Sequence, residues 1–130
     1  MGPQQGTGWK VAAIDEIPPV KDDWPATWKS VRHHFGITGF GVNAVTKDEG
    51  NVLIPEHDHT GTGEQELYVV LAGEVVATLD GEQVTVPAGS AVGVEGGARR
   101  KFESAASPTT LMVIGGTPGK AYEVGPWEKS

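Results

Sequence analysis

Cysteine is absent from the 130-residue chain. Its absence excludes disulfides, thiolate metal ligands and any thiol nucleophile. Small secreted folds usually lean on disulfides, so the expected compartment is the cytoplasm. Basic residues are few: ten Lys and Arg stand against seventeen Asp and Glu, for a net charge of −7. Nucleic-acid binding needs clustered cations to meet phosphates, and only Arg99-Arg100-Lys101 forms such a cluster. No nucleic-acid partner is expected. Long apolar runs are also missing, so no membrane span is expected. The first ten residues lack the apolar core of a signal peptide. No segment sustains apolar residues at helical spacing. Gly39-Phe40-Gly41 and Gly61-Thr62-Gly63 do not extend to a dinucleotide fingerprint, because Ala44 and Glu66 stand where the third glycine belongs. There is no P-loop and no G-x-S-x-G nucleophile elbow.

Glycine, by contrast, is abundant at 19 residues, and proline adds nine. Both fall between short apolar runs and mark turns between strands. Strands are predicted over 9–14, 31–35, 37–46, 52–59, 66–71, 74–79, 83–86, 91–94, 100–103 and 110–114. Asp80-Gly81 is a hairpin signal, and Pro87-Ala88-Gly89 reads as another turn. The fold class expected is an all-β sandwich or barrel.

Residues 1–30 read as a tail and an arm packed on the barrel. Pro18, Pro19 and Pro25 forbid a continuous helix or central strand there. Trp24 and Trp28 either cover the barrel or line its pocket. The barrel itself is assigned to 31–118 and a C-terminal tail to 119–130, within one domain. The strand ELYVVL at 66–71 is apolar on both faces. One face lines the interior, and the other needs the arm or a second subunit as cover, so a homodimer is expected.

The chemistry-bearing residues cluster around His57-Asp58-His59, at the end of a predicted strand. Residues two apart on a strand share a face, so the two imidazoles converge. Neutral imidazole ligates Fe, Mn, Ni, Cu and Zn, and two His with one carboxylate form a facial triad with open positions. Glu66 opens the strongest strand and is the preferred carboxylate. Glu64 has the same parity but sits in the preceding loop. Tyr68 shares the parity of Glu66 and is a candidate to line the same interior. His33 and His34 have opposite parity on their predicted strand, so only one points inward. Whichever does, His33 or His34, is a candidate fourth ligand or proton shuttle, and His34 is the catalytic candidate.

This succession resembles the first motif of the cupin superfamily, roughly G-x5-H-x-H-x3,4-E-x6-G. Here it reads Gly50-NVLIPE-His57-Asp58-His59-TGTGEQ-Glu66-LYVVLA-Gly73. The Glu-to-Gly spacing fits and favours Glu66 over Glu64. The first spacer is one residue longer than the pattern, and the second is two or three longer. The resemblance runs over roughly residues 40 to 115. It resembles in particular small stand-alone cupins with a GGTPG-like segment after the last strand, here Gly115 to Gly119. It implies a double-stranded β-helix, or jelly-roll barrel, with a divalent transition metal on His57, His59 and Glu66. It also implies a small-molecule dioxygenase, isomerase or lyase.

The second cupin motif, roughly G-x5-P-x-G-x2-H-x3-N, has a departed counterpart. It reads Gly89-SAVGV-Glu95-Gly96-Gly97-AR-Arg100-KFE-Ser104. Arg100 replaces the histidine that is normally the fourth ligand, and a guanidinium cannot ligate a metal. Two readings stay open. In one, the trio holds a metal and Arg100 grips an anionic substrate through its planar fork. In the other, no metal binds, Arg100 pairs with Glu66, and the barrel is a small-molecule binding module or sensor.

Overall fold

A computed structural model describes residues 5–20 and 27–123. Trp24 and Pro25 of the arm, and the last residues of the C-terminal tail, lie outside the described residues. The strands are β1 (Gln5–Gly6), β2 (Trp9–Lys10), β3 (Thr27–Ser30), β4 (Gly41–Lys47), β5 (Val52–His57), β6 (Gln65–Ala72), β7 (Glu74–Leu79), β8 (Glu82–Pro87), β9 (Ala91–Val94), β10 (Arg100–Ser104) and β11 (Thr109–Gly116). β1 and β2 pair only with each other, while the rest form two antiparallel sheets ordered β5-β10-β7-β8 and β3-β4-β11-β6-β9. From β4 onward the chain passes back and forth between the sheets, pausing only for the β7–β8 hairpin. This is the all-β architecture expected from the turn spacing, in the jelly-roll form that the resemblance implied.

The turns explain the crossings. Asp80 and Gly81 have φ of 49° and 86°, the left-handed pair that a tight hairpin between β7 and β8 demands. Gly73 separates β6 from β7 at φ 75°. A Cβ there would lie 2.4 Å from Thr109 Oγ1 and 2.6 Å from the Pro108 carbonyl, so only glycine fits this crossing.

Strand register stacks the interior in layers. In the five-stranded sheet, Gly115 sits opposite Glu66 and Gly41, Val113 opposite Tyr68 and Asn43, and Leu111 opposite Val70 and Val45. In the facing sheet, Arg100 sits opposite His57 and Leu79, and Phe102 opposite Ile54 and Ala77. The apolar cluster between the sheets includes Val45, Leu53, Val70, Val75, Ala77, Phe102 and Leu111. A second cluster joins Ile17 of the arm to Val31, Val42 and Ala44, with Ile14, Met112 and Ile114 packed against it. Lys29 Nζ ties the arm down by donating to the carbonyls of Ile14 and Asp15, at 3.1 and 2.6 Å.

Two predicted strands are corrected. Val31–Phe35 is a single turn of helix, α1, rather than a strand. Ser30 caps it, its Oγ accepting from the His33 amide at 3.2 Å, and Gly36 closes it at φ 71°. The parity argument for His33 and His34 therefore falls. The 9–14 strand stops at Lys10, and Ile14–Glu16 forms a 3-10 turn that delivers Ile17 to the core. Pro18 favours extended backbone at Ile17, which ends that turn.

Candidate metal centre

His57 is the last residue of β5, and its Nδ1 lies 2.7 Å from the Pro55 carbonyl. A carbonyl only accepts, so Nδ1 carries the proton. In the neutral ring this leaves the Nε2 lone pair free, the tautomer a metal ligand needs. His59 lies beyond the strand, so parity does not place it. Its amide donates to the Gly96 carbonyl at 2.8 Å, which docks the His59–Gly63 turn on the β9–β10 loop. A Cβ on Gly96 would come within 2.8 Å of Gly63 Cα, so glycine permits that docking. The two imidazoles meet edge to face with centroids 4.9 Å apart.

Glu66 enters from the facing sheet. Its Oε1 lies 3.2 Å from His59 Nε2 and 3.9 Å from His57 Nε2. The candidate ligand atoms of the three residues all fall within 4.8 Å of one another. His59 Nε2 is buried without a hydrogen bond. An orphaned buried nitrogen facing a second imidazole and a carboxylate is a donor set suited to a divalent transition metal.

Arg100 and Tyr68 hold Glu66 at Oε1, the same oxygen that faces the two histidines. Arg100 is 0% exposed, and its Nη1 donates to Glu66 Oε1 at 2.8 Å. Its Nη2 donates to the carbonyls of Glu95 and Ala98, at 2.6 and 2.8 Å. The Tyr68 hydroxyl donates to the same Glu66 oxygen, and its ring stacks on Phe102 at 4.2 Å. Burial alone would raise the Glu66 carboxyl, but His57, Tyr68, His59 and Arg100 hold it at about 2, against a usual 4.5. Its carboxylate in turn raises His57 above 6.5 despite burial. Burial and the Glu66 charge push the Tyr68 phenol well above its usual range. Burial, then the Glu66 charge, raises the Glu64 carboxyl.

A cavity of about 380 Å³ opens over this cluster, within the usual range for small-molecule sites. His57, His59, Glu64, Glu66 and Tyr68 line it, together with Trp28, Asn43, Ile54, Val113, Gly115, Tyr122 and Glu123. Trp28 thus lines the pocket and also packs against the core. Arg100 is not in the lining, and the expected grip on an anionic substrate loses its cation. His34 is not brought to the cluster either: it sits on α1 with its ring against Phe35. Arg99 pairs with Glu56 and Asp58, and Lys101 with Glu103, so the basic triplet presents no cationic patch. Sequence reasoning missed Asn43, Tyr122 and Glu123 as lining residues. Asn43 had a signal, as the polar residue within the apolar stretch GVNAV of β4; Tyr122 and Glu123, beyond the last strand, had none.

The comparisons bear on the fold. The family model described as a cupin domain matches residues 45–115. Among solved structures, a cupin protein from Bacteroides fragilis is 21% identical, with 81% of this chain and 86% of that chain covered, at a TM-score of 0.62. A predicted oxalate decarboxylase from Thermotoga maritima is 18% identical, with 82% and 98% covered, at a TM-score of 0.65. A sugar phosphate isomerase from Silicibacter pomeroyi is 20% identical at a TM-score of 0.60, with 70% of this chain covered but only 59% of the isomerase. No curated protein matches the chain. No helix among the described residues is long and apolar enough to cross a membrane.

Proposed function

The chain belongs to the cupin domain family, whose model spans more than half of it, and from that premise we propose that it is a metal-dependent enzyme of isomerase or lyase type acting on a small oxygen-rich molecule. His57, His59 and Glu66 are the proposed ligands of a divalent transition metal, one of Fe, Mn, Ni, Cu or Zn. The observation that carries this reading is His59 Nε2, buried without a hydrogen bond and 3.2 Å from Glu66 Oε1. When bound, such a metal supplies a Lewis acid that polarises a substrate oxygen.

The chain's own residues do the rest. Arg100 and Tyr68 fix the Glu66 carboxylate, and both are positioning residues. Trp28, Ile54, Val113 and Tyr122 form an apolar wall that excludes water from the substrate's carbon skeleton. Asn43 Oδ1 is buried and unpartnered in the same cavity, so it accepts a hydrogen bond from a substrate hydroxyl. The lining carries Glu64, Glu66 and Glu123 and neither Lys nor Arg. That favours an uncharged, hydroxylated substrate over the anion first expected. The isomerase and decarboxylase names of two structural neighbours support this reaction class over a dioxygenase. A cytoplasmic setting and a homodimer are part of the proposal, the latter supported by Leu67 and Leu71, both exposed on β6.

A metal-free binding module remains the second reading, favoured by the Arg100–Glu66 pair at 2.8 Å. Elemental analysis after purification without a metal-affinity tag separates the two. The expected result is a stoichiometric transition metal that His57→Ala loses. No metal retained, even after loading with each of the five candidates, overturns the enzyme reading in favour of the module.

A further inference from the structure

Glu64 belongs to the stretch that makes the spacer between His59 and Glu66 longer than the family pattern. The Thr60–Gly63 turn returns the chain toward the site, with Gly63 at φ 72° and the Glu64 amide donating to Thr62 Oγ1 at 3.3 Å. Glu64 Oε2 then lies 3.8 Å from His59 Nε2, on the nitrogen that Glu66 approaches at 3.2 Å. We infer that Glu64 is a fourth protein ligand of the metal, completing a His57-His59-Glu64-Glu66 site. The inference deepens the proposed function and rests on it.

Donor spacing supports the assignment. Metal–donor bonds of about 2.0–2.2 Å in a tetrahedron set donor–donor edges of about 3.4 Å. The edges from His59 Nε2 to Glu66 and Glu64 are 3.2 and 3.8 Å, and that from His57 Nε2 to Glu66 is 3.9 Å. The His59–Glu64 edge is no longer than the His57–Glu66 edge, but the trio whose ligand atoms all lie within 4.8 Å of one another is His57, His59 and Glu66, so Glu64 completes the set by rotating its side chain toward the other donors.

The two carboxylates also differ in what already neutralises them. Glu66 Oε1 accepts from both Arg100 and Tyr68, so a buried guanidinium matches its charge. Among the described residues Glu64 pairs with no Lys or Arg, and its charge is left facing His59 and the cavity. Gly115 makes the pairing of carboxylates possible. A Cβ there would lie 3.0 Å from Glu64 Oε2 and 3.2 Å from Glu66 Cγ. With glycine, β11 leaves room for both side chains beside one another. Two adjacent carboxylates with one cation between them lack a counter-charge, and a divalent ion supplies it. Glu64 thereby supplies the fourth donor that Arg100, standing where the family has a histidine, cannot.

The test is titration of the purified full chain with Co²⁺, followed by its visible absorption, which reads affinity and coordination geometry together. Removing a group that merely orients a ligand costs about 10- to 100-fold in metal affinity. Glu64→Gln is expected to exceed that and to change the Co²⁺ spectrum. Glu64→His, which restores a donor, recovers binding to within about tenfold of wild type. Glu123→Gln removes a carboxylate from the same cavity and changes affinity by less than about threefold, a longer-range charge effect only. A wild-type chain that binds Co²⁺ and loses it in His57→Ala, but keeps both affinity and spectrum in Glu64→Gln, overturns this inference alone. A wild-type chain that binds no Co²⁺ overturns it together with the reading it rests on.

Discussion

The space between the two sheets is filled in two ways. In its deeper layers Leu53, Val75, Ala77 and Phe102 are fully buried against Val70 and Leu111. Two residues along the same strands, the filling becomes ionisable. β10 steps from Phe102 to Arg100, and β6 steps from Val70 through Tyr68 to Glu66. The register keeps the layers intact, with Phe102 opposite Ala77 and Ile54, and Arg100 opposite His57. One end is closed and dry, while the other opens into a cavity of about 380 Å³. The same scaffold thus holds a stabilising end and a reactive end, separated by one pleat. Tyr68 and Arg100 form the seam between them. The tyrosine ring stacks on Phe102 while its hydroxyl reaches Glu66, and the guanidinium is buried like a core residue while serving the same carboxylate.

Breaking the seam should have the largest effect. Arg100→Met leaves the carbonyls of Glu95 and Ala98 without the guanidinium donor and Glu66 without its cation, with Tyr68 still donating to it. Removing one member of a buried pair costs about 3–5 kcal/mol. Urea denaturation should show a loss of that size. A double variant, Arg100→Met with Glu66→Leu, should regain much of it, because an apolar replacement of both partners leaves no unpaired charge. It should also bind no metal. A single variant as stable as wild type would mean that Arg100 is not part of the stabilising end.

The next effect probes the dry end alone. Leu53 is 0% exposed, and Leu53→Ala should cost roughly 2–5 kcal/mol through lost burial and a residual cavity. Metal affinity should stay within about threefold, since sites without shared partners couple weakly. A larger change in affinity would show that the two ends are one cooperative unit.

The dry end was far easier to read from the sequence than the reactive one. Alternation and turn residues placed the strands from β4 to β11 to within a few residues, because burial on one face and turns at fixed positions leave period-two patterns. α1 was misread because VRHHF has no period of its own. Ser30 and Gly36 fix that turn from outside it. His57 and Glu66 were legible as strand residues. His59 was grouped with His57 by strand parity, yet it sits past the end of β5 and is brought beside His57 by the Gly96 contact instead. The sequence left Arg100 between a substrate and Glu66; it pairs with Glu66, because its strand position is interior and a buried guanidinium needs a carboxylate. Contacts made by loops, such as those of Gly96, Tyr122 and Glu123, leave no periodic trace.

The smallest effect is a pH dependence that belongs to the reactive end only. Glu66 falls from 4.5 to about 2 on folding. A depressed carboxyl contributes stability that is present above about 4.5 and is lost as the pH falls toward 2. His57 is raised above 6.5, so its contribution is complete below that value and is lost as the pH climbs through its folded pKa. Glu64 works against Glu66. Its raised carboxyl favours the folded state while protonated, and that contribution fades as the pH rises through 4.5 and beyond. The opposed carboxylates leave a shallow acid limb in the metal-free chain. Glu66→Gln removes the depressed member and should make stability between about pH 5 and pH 2 fall less steeply than in wild type, measured by urea midpoints across that range. Leu53→Ala should lower the whole curve and leave its shape unchanged, since the one titratable side chain in contact with that layer among the described residues, Tyr68, does not titrate in the acid range. If Leu53→Ala altered the acid limb as much as Glu66→Gln, the boundary drawn here at Tyr68 and Arg100 would have to move deeper into the barrel.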